Sequence, residues 1–579
     1  MSLVTVGTTT LEIERASVEQ VEVEPGVTEL TFTVEPDSTG DVTFSLLWRT
    51  AAGDAVAYWH PHSVHRSLGV EWTRPRITNA LKWAPLGALH DTSGGNVETW
   101  ALDEVVEPVH IQAGVEEETS RFLHRVKVEG VAPAEGPYVV RMRVDQRAVA
   151  YSDALHDVAQ WWLASSDVPA LPVPDLALVP VYSTWYSFHQ RLEPAAVARQ
   201  AELARELGCK VLIVDDGWMT TDAARGYAFT GDWQVEPSRL GDLAAQASVA
   251  AEAGGGYLLW IAPPFVGMES AAWERFQGKL LTTIERLRCG VLDPRYKDVR
   301  DHLVSTCVSL VRDYNLIGLK IDFVDTWPRE DAPAAGPGAD FARVEEAVDA
   351  FLASLTAELR AVRPDVLVEF RQNYIGPRMW RYANLFRAGD CPMDRVDNRV
   401  RTVDLRLLTP ASAVQADMLM WDPSLPAEVA AEQVLAVLFA VPQISVLLDQ
   451  VPADHLAMMR FWLAFVTEHR STLFRGRIES PRPDLQHPLV RAHGSGTTIA
   501  AAYTDLVVTV RPSDQADLWV ANATGRDDLV IEVLASAPVS LVGAQDCRGA
   551  AVDLPVGELT AGLHRLPVPR SGLLHLHRL

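Results

Sequence analysis

The residues of this 579-residue chain best suited to chemistry are charges set inside apolar runs. In "GLKIDFVDTW" (318–327) Lys320 and Asp322 stand two apart. On a β-strand they project from one face, while Leu319, Ile321 and Phe323 face the other way. Two charges on a buried strand are costly unless they are paired or used, so the stretch reads either as a structural ion pair or as part of a site. Further carboxylates and bases end other strand-like runs: Asp215 and Asp216 of "VLIVDDGW", Glu369 and Arg371 of "VLVEFRQN", Arg387 and Asp390 of "NLFRAGD", and Asp422 of "ADMLMWDP". Trp185, Trp218 and Trp260 end others. Carboxylate pairs flanked by indoles suit glycosidic bond cleavage, in which two carboxyl groups flank an anomeric carbon and an aromatic plane supports the sugar ring. Each feature also has a plainer reading. The tryptophans could be core packing, and Asp-Gly is a common turn pair.

These residues need elements to hold them. From about residue 173 to 478, short apolar strands alternate with amphipathic helices, the rhythm of parallel βα units. Eight strands are expected, at 176–185, 211–218, 257–264, 318–324, 366–373, 384–390, 416–423 and 443–449, with helices such as 194–208 and 340–362 between them. Only the gap between strands five and six is tight, with room for one short helix. Eight strands and no GxGxxG fingerprint favour a (β/α)8 TIM barrel over an open doubly wound sheet. Active residues then belong at the C-terminal strand ends, where the charges above lie. Residues 1–172, rich in Val, Thr and Phe runs broken by turns, read as an N-terminal β-sandwich, and 479–579 as a C-terminal all-β domain.

Composition narrows the function classes. A net charge of −25 argues against nucleic acid or an anionic membrane as partner. The longest apolar stretch, 434–448, is too short to span a bilayer and is interrupted by Pro442, Gln443 and Ser445, so it reads as a buried helix followed by a buried strand. Five scattered cysteines form no metal-like cluster, which fits a reducing, cytoplasmic setting. Histidine is almost absent from the strand ends, which disfavours a metal hydrolase; a carboxylate site for Mg2+ of the enolase kind stays open.

The ordered series "STWYSF", "VLIVDDGWM", "FTGDWQVEPSRLGDL", "LLWIAPP", "VLDPRYKDVRDHL" and "GLKIDF" resembles the α-galactosidase-like enzymes of glycoside hydrolase family 36, in the clan shared with families 27 and 31. The resemblance implies a retaining exo-acting α-glycosidase, galactosides first, that needs no cofactor and no metal. Asp322 would be the nucleophile, with Lys320 binding hydroxyls and keeping that carboxylate ionised. Asp215 and Asp216 would grip the 4- and 6-hydroxyls, and Trp185, Trp218 and Trp260 would form pocket walls. The acid/base would be Asp390, preceded by Arg387, with Asp394 as its rival. The expected partner is an oligosaccharide or other α-glycoside, and relatives of this kind often form homo-oligomers. The chain departs from the family pattern at Phe265 after strand three, at "EFRQNYIGPR" in strand five and at Gly389 in strand six, which makes Glu369, Arg371 and Asn373 candidate specificity residues. The loop 328–340 could cap the pocket. A transglycosylase, a catalytically inactive sugar-binding protein and a metal-dependent barrel enzyme are the alternatives.

Overall fold

The computed structural model describes residues 2–131, 136–165, 169–327, 332–494, 496–554 and 556–579. Before the barrel, two six-stranded antiparallel sheets pack face to face. Their strands alternate as the pattern demands: Val42–Thr50 buries every second side chain against Phe32, Trp100 and Met142. The helix Tyr151–Ser165 leads to the barrel, its Trp162 indole donating to Leu102 O of the sandwich (2.8 Å) while the ring meets Trp380 edge-on.

Eight parallel strands follow: β1 (Val181–Ser183), β2 (Val211–Val214), β3 (Gly256–Ile261), β4 (Gly318–Ile321), β5 (Leu367–Arg371), β6 (Leu385–Arg387), β7 (Ala413–Gln415) and β8 (Gln443–Ile444). They pair in sequence order, and β1 also pairs with β8. The seam between β7 and β8 is closed by two isolated bridges, Gln415 to Val441 and Leu419 to Ile444. Outside them lie α1 (Pro194–Glu206), α2 (Leu243–Glu252), α3 (Lys297–Asp313), α4 (Val344–Val362), α5 (Arg395–Leu408), α6 (Ala427–Ala436) and α7 (Ala453–Glu468). The tight gap between β5 and β6 holds a single short turn of helix, Pro377–Arg381. The expected TIM barrel is present, with sheet domains on both sides.

One strand lies elsewhere than expected. Strand seven occupies Ala413–Gln415, and the apolar run at 416–423 is mostly buried coil across the barrel mouth. A short apolar run signals burial, not backbone conformation: Met418 and Trp421 are buried outside any strand, and Leu419 makes a single bridge to Ile444. After β3, three short strands (Phe265–Gly267, Leu280–Ile284, Cys289–Leu292) form a small antiparallel sheet before α3. After α7 comes an all-β region, starting at Arg477–Glu479 and packed around Val520, Ile531 and Leu574.

No helix among the described residues is long and apolar enough to cross a membrane, and no group of three or more His, Cys, Asp or Glu among them could hold a metal ion.

Candidate active site

The site is built at the C-terminal ends of β2 to β6. Asp322 directly follows β4, its amide donating to Ile261 O (2.8 Å), after which Phe323 adopts a left-handed conformation (φ 61°) and turns the chain away from the sheet. The carboxylate is surrounded by donors: Arg371 Nε at 2.5 Å, the Phe323 amide at 2.7 Å, the Trp260 indole at 3.0 Å and the Tyr374 hydroxyl at 3.4 Å. Burial alone would push its pKa up, but Arg371, then Lys320 and Arg387, outweigh burial and hold it well below the usual carboxylate range. This buried anion is fully hydrogen-bonded.

Lys320 does share the interior face with Asp322, but its ammonium is bonded elsewhere. It donates to Asp215 Oδ2 at 2.5 Å and lies 4.0 Å from Glu369 Oε1. Its action on Asp322 is through space and second to that of Arg371. Lys320 thus helps to keep Asp322 ionised from a distance, while the ion-pair partner of Asp322 is Arg371, from the strand that departs from the family pattern.

The DDGW turn follows β2. The Asp215 amide donates to Thr184 Oγ1 (2.9 Å), and the Asp216 amide to Asp215 Oδ1 (2.9 Å). Gly217 takes φ 105°, and a Cβ there would lie 2.5 Å from Gln190 Cα, so glycine is required both for conformation and for space. Gln190 in turn donates to Asp216 Oδ2 at 2.6 Å. Burial, together with the neighbouring charge of Asp215, pushes the Asp216 carboxyl up to about 7. The two adjacent aspartates therefore have different environments, one ion-paired and one neutral-leaning.

At β6, Arg387 is buried and donates to Asp417 (2.6 Å) and Asp390 (3.0 Å), with its Nε 3.4 Å from Glu369. Asp390 is open, its side chain 61% exposed. Partial desolvation raises its pKa, but Arg387 outweighs this and the net shift is downward; Asp322 acts on it in the raising direction, and Lys320 and Arg371 in the lowering one. Asp390 and Asp322 thus lie in one electrostatic field. Asp394 is placed differently: its side chain caps α5, accepting from the amides of Val396 (3.1 Å) and Asp397 (2.9 Å). Glu369 is enclosed in the barrel, bonded by Gln443 (3.0 Å) and raised by burial.

The tryptophans divide. Trp185 is half-buried at the first turn after β1, edge-on to His189. Trp260 orients Asp322 through its indole and lies against Tyr227. Trp218 is fully buried and donates to Trp260 O (2.8 Å), so it supports Trp260 from behind.

Several contributors carried no signal of their own in the sequence. Asp417 lies in the coil that was expected to be strand seven; it accepts from Arg387, the Cys391 amide (2.7 Å) and Tyr186 (2.9 Å), fixing the loop that bears Asp390. Tyr227, Phe265 and Phe323 form an aromatic cluster beside Trp260, with Tyr227 stacked on Phe265 at 4.9 Å. Tyr186 lies within the quoted "STWYSF" run, and Phe265 occupies the position already noted as a departure. The start of the expected capping loop, residues 328–331, falls outside the described residues.

The family model described as Melibiase matches residues 138–356. The resemblance read from the motifs is borne out. Alpha-galactosidase 2 of Pediococcus pentosaceus is 30% identical over 151 residues, 24% of this chain; the match spans about a fifth of that relative's length (20%). Among solved structures, an α-galactosidase from Lactobacillus brevis superposes with TM-score 0.65 at 13% identity, covering 99% of this chain and 80% of that one. A GH36 α-galactosidase from Geobacillus stearothermophilus, solved with raffinose, gives 0.64 at 13% identity over 98% and 86%. These likenesses establish a shared multidomain fold around the melibiase-like region.

Proposed function

We propose that this chain is a glycoside hydrolase, a retaining, exo-acting α-glycosidase with α-galactosides as the first candidate substrates. The observation that carries the reading is the contrast between Asp322, buried and held ionised by four donors, and Asp390, exposed and lying in the same field. An ionised carboxylate with a fixed orientation suits attack, and a second, solvent-facing carboxyl suits proton exchange. The Geobacillus stearothermophilus α-galactosidase solved with raffinose and a Thermus thermophilus α-galactosidase solved with p-nitrophenyl α-D-galactopyranoside support the galactoside choice.

In the first step Asp322 attacks the anomeric carbon, the bond to the leaving oxygen breaks, and Asp390 gives that oxygen its proton. In the second, water attacks the glycosyl ester, Asp390 takes a proton from the water, and Asp322 leaves as carboxylate. A bound sugar strips water from Asp390 and raises its pKa toward the protonated state the first step needs. Retention implies carboxyl groups ~5–5.5 Å apart. Asp215 and Asp216, at the end of β2, would accept from sugar hydroxyls, Lys320 holding the first in place. All five cysteines are free and buried, which supports a reducing, cytoplasmic setting.

The test is hydrolysis of 4-nitrophenyl α-galactoside within a panel of aryl α-glycosides, with anomeric configuration of the first product followed by NMR. Turnover with retention supports the reading, and absence of turnover across the panel sinks it.

A further inference from the structure

The guanidinium that holds Asp322 is shared. Arg371 Nε donates to Asp322, its NH1 to Gln372 O (2.8 Å), and its NH2 lies 3.9 Å from Asp325 Oδ1, a second carboxylate on the turn that follows the nucleophile. The guanidinium also lies over the Phe323 and Tyr374 rings, at 5.2 and 5.8 Å. The fork is thus divided three ways, and Asp322 receives only one of its arms.

Asp325 is held from the far side. Asn373 Nδ2 donates to Asp325 Oδ2 (3.3 Å), and Asn373 O accepts from the amide of Trp83, a residue of the N-terminal sandwich (2.9 Å). Trp83 adopts a left-handed conformation (φ 58°) at this contact. A Cβ on Gly376 would lie 2.3 Å from Trp83 O, so the loop after β5 and the sandwich are in direct backbone contact. Lys82, beside Trp83, adds an attractive charge toward Asp325.

We propose that Asp325 and Asn373 are positioning residues, anchored by the sandwich loop at Lys82 and Trp83, that keep Arg371 from closing both arms on Asp322. The proposal rests on Asp322 being the nucleophile. A guanidinium with one carboxylate partner settles into a two-armed pair, and that pair stabilises the anion so strongly that it attacks poorly. A second carboxylate alongside draws one arm away, leaving Asp322 ionised and still reactive. The sandwich then acts on catalysis through the charge balance at Arg371 without touching substrate. The charged and titratable groups that act on Asp322 in this balance are Arg371, Lys320 and Arg387 on one side and Asp325, Asp390 and Asp216 on the other, with the Tyr374 and Tyr227 phenols.

The experiment compares the full-length protein with its Asp325→Asn and Asn373→Ala variants on 4-nitrophenyl α-galactoside, across pH, and includes a crystal structure of Asp325→Asn. The expected result for Asp325→Asn is a kcat lower by about 10- to 100-fold with an almost unchanged KM, because Asp322 has lost a neighbouring negative charge and gained a tighter partner. Asn373→Ala should move kcat the same way by less, and Asp325→Glu should restore part of the loss. A purely structural role would lower the thermal midpoint and leave kcat per folded molecule unchanged, and that outcome overturns the proposal. The crystal structure decides independently of turnover: Arg371 closing both arms on Asp322 supports the proposal, and an unchanged single contact refutes it. If the native protein fails to hydrolyse the galactoside, the proposed function falls, while the position of Arg371 in the variant still settles this question.

Discussion

Two buried aspartates in this molecule have nearly the same surroundings. Asp322 is held by Arg371 and the Trp260 indole; Asp404, on α5, is held by Arg66 and the Trp59 indole (3.0 Å). Asp404 also meets His487 (3.3 Å), which is bonded to Ser480 (2.6 Å), so a serine, a histidine and an aspartate line up as they do in many hydrolases. Ser480 and His487 are fully enclosed, and the cluster joins the sandwich, the barrel and the C-terminal sheets. Asp322 instead lies at a strand end, and its charge reaches the exposed Asp390 through space. The ligand set is the same in kind. What separates a junction from a site is a second titratable group with access to solvent and room for a reacting atom.

That comparison breaks most sharply at Asp322. Asp322→Gly should reduce kcat on aryl α-galactosides by about 10^4-fold or more, with added azide restoring turnover as a glycosyl azide product. Asp404→Asn, measured per folded molecule, should leave kcat close to native. Asp390→Asn is expected to cost about 10^2- to 10^4-fold with poorly leaving alcohols and much less with activated phenols, since only the former need the proton. Rates measured against leaving-group pKa provide the check. At the junction the effect is on stability: Asp404→Asn leaves Arg66 buried without its counter-charge and should cost about 3–5 kcal/mol, read as a lower denaturation midpoint. Should Asp322→Gly show a loss of that size and Asp404→Asn none, the assignment of roles is reversed.

The smallest expected effect lies in pH. A carboxyl with its folded pKa raised to about 7 favours the protonated form, so the folded state binds the extra proton between the ordinary aspartate range and neutrality. The contribution of Asp216 to stability therefore declines as pH rises through that window. Asp216→Asn should raise the thermal midpoint more at pH 8 than at pH 5, a difference that scanning calorimetry at both values measures. A midpoint shift independent of pH would count against an uncharged Asp216 in the free protein.

The fold was largely legible because its signals are local. Period-two alternation marked the sandwich strands, and apolar runs separated by amphipathic helices marked seven of the barrel strands. Lys320 and Asp322 were legible as a same-face pair by the same rule. Their partners were not, because the lysine meets an aspartate 105 residues away and the aspartate meets an arginine 49 residues away, and spacing alone carries no record of which strand ends converge. Trp218 and Trp260 look alike in sequence, each near a strand end, yet one supports the other. Asp417 was hidden because its coil is as apolar as a strand. Asp394 and Asp390 stand four apart, and only the start of α5 reveals that one of them is a helix cap.

The seam of the barrel has a consequence for motion. β7 and β8 meet through only a few backbone bonds, Ala416 to Val441, Leu419 to Gln443, Val441 to Val414 and Ser445 to Leu419, and Asp417 sits in the midst of them holding the loop of Asp390. Deuterium should enter those amides well before it reaches β2 or β3, because a two-residue strand has little to lose by parting. The cylinder would breathe first along the line that holds the loop of Asp390, leaving Asp322 on the rigid wall opposite.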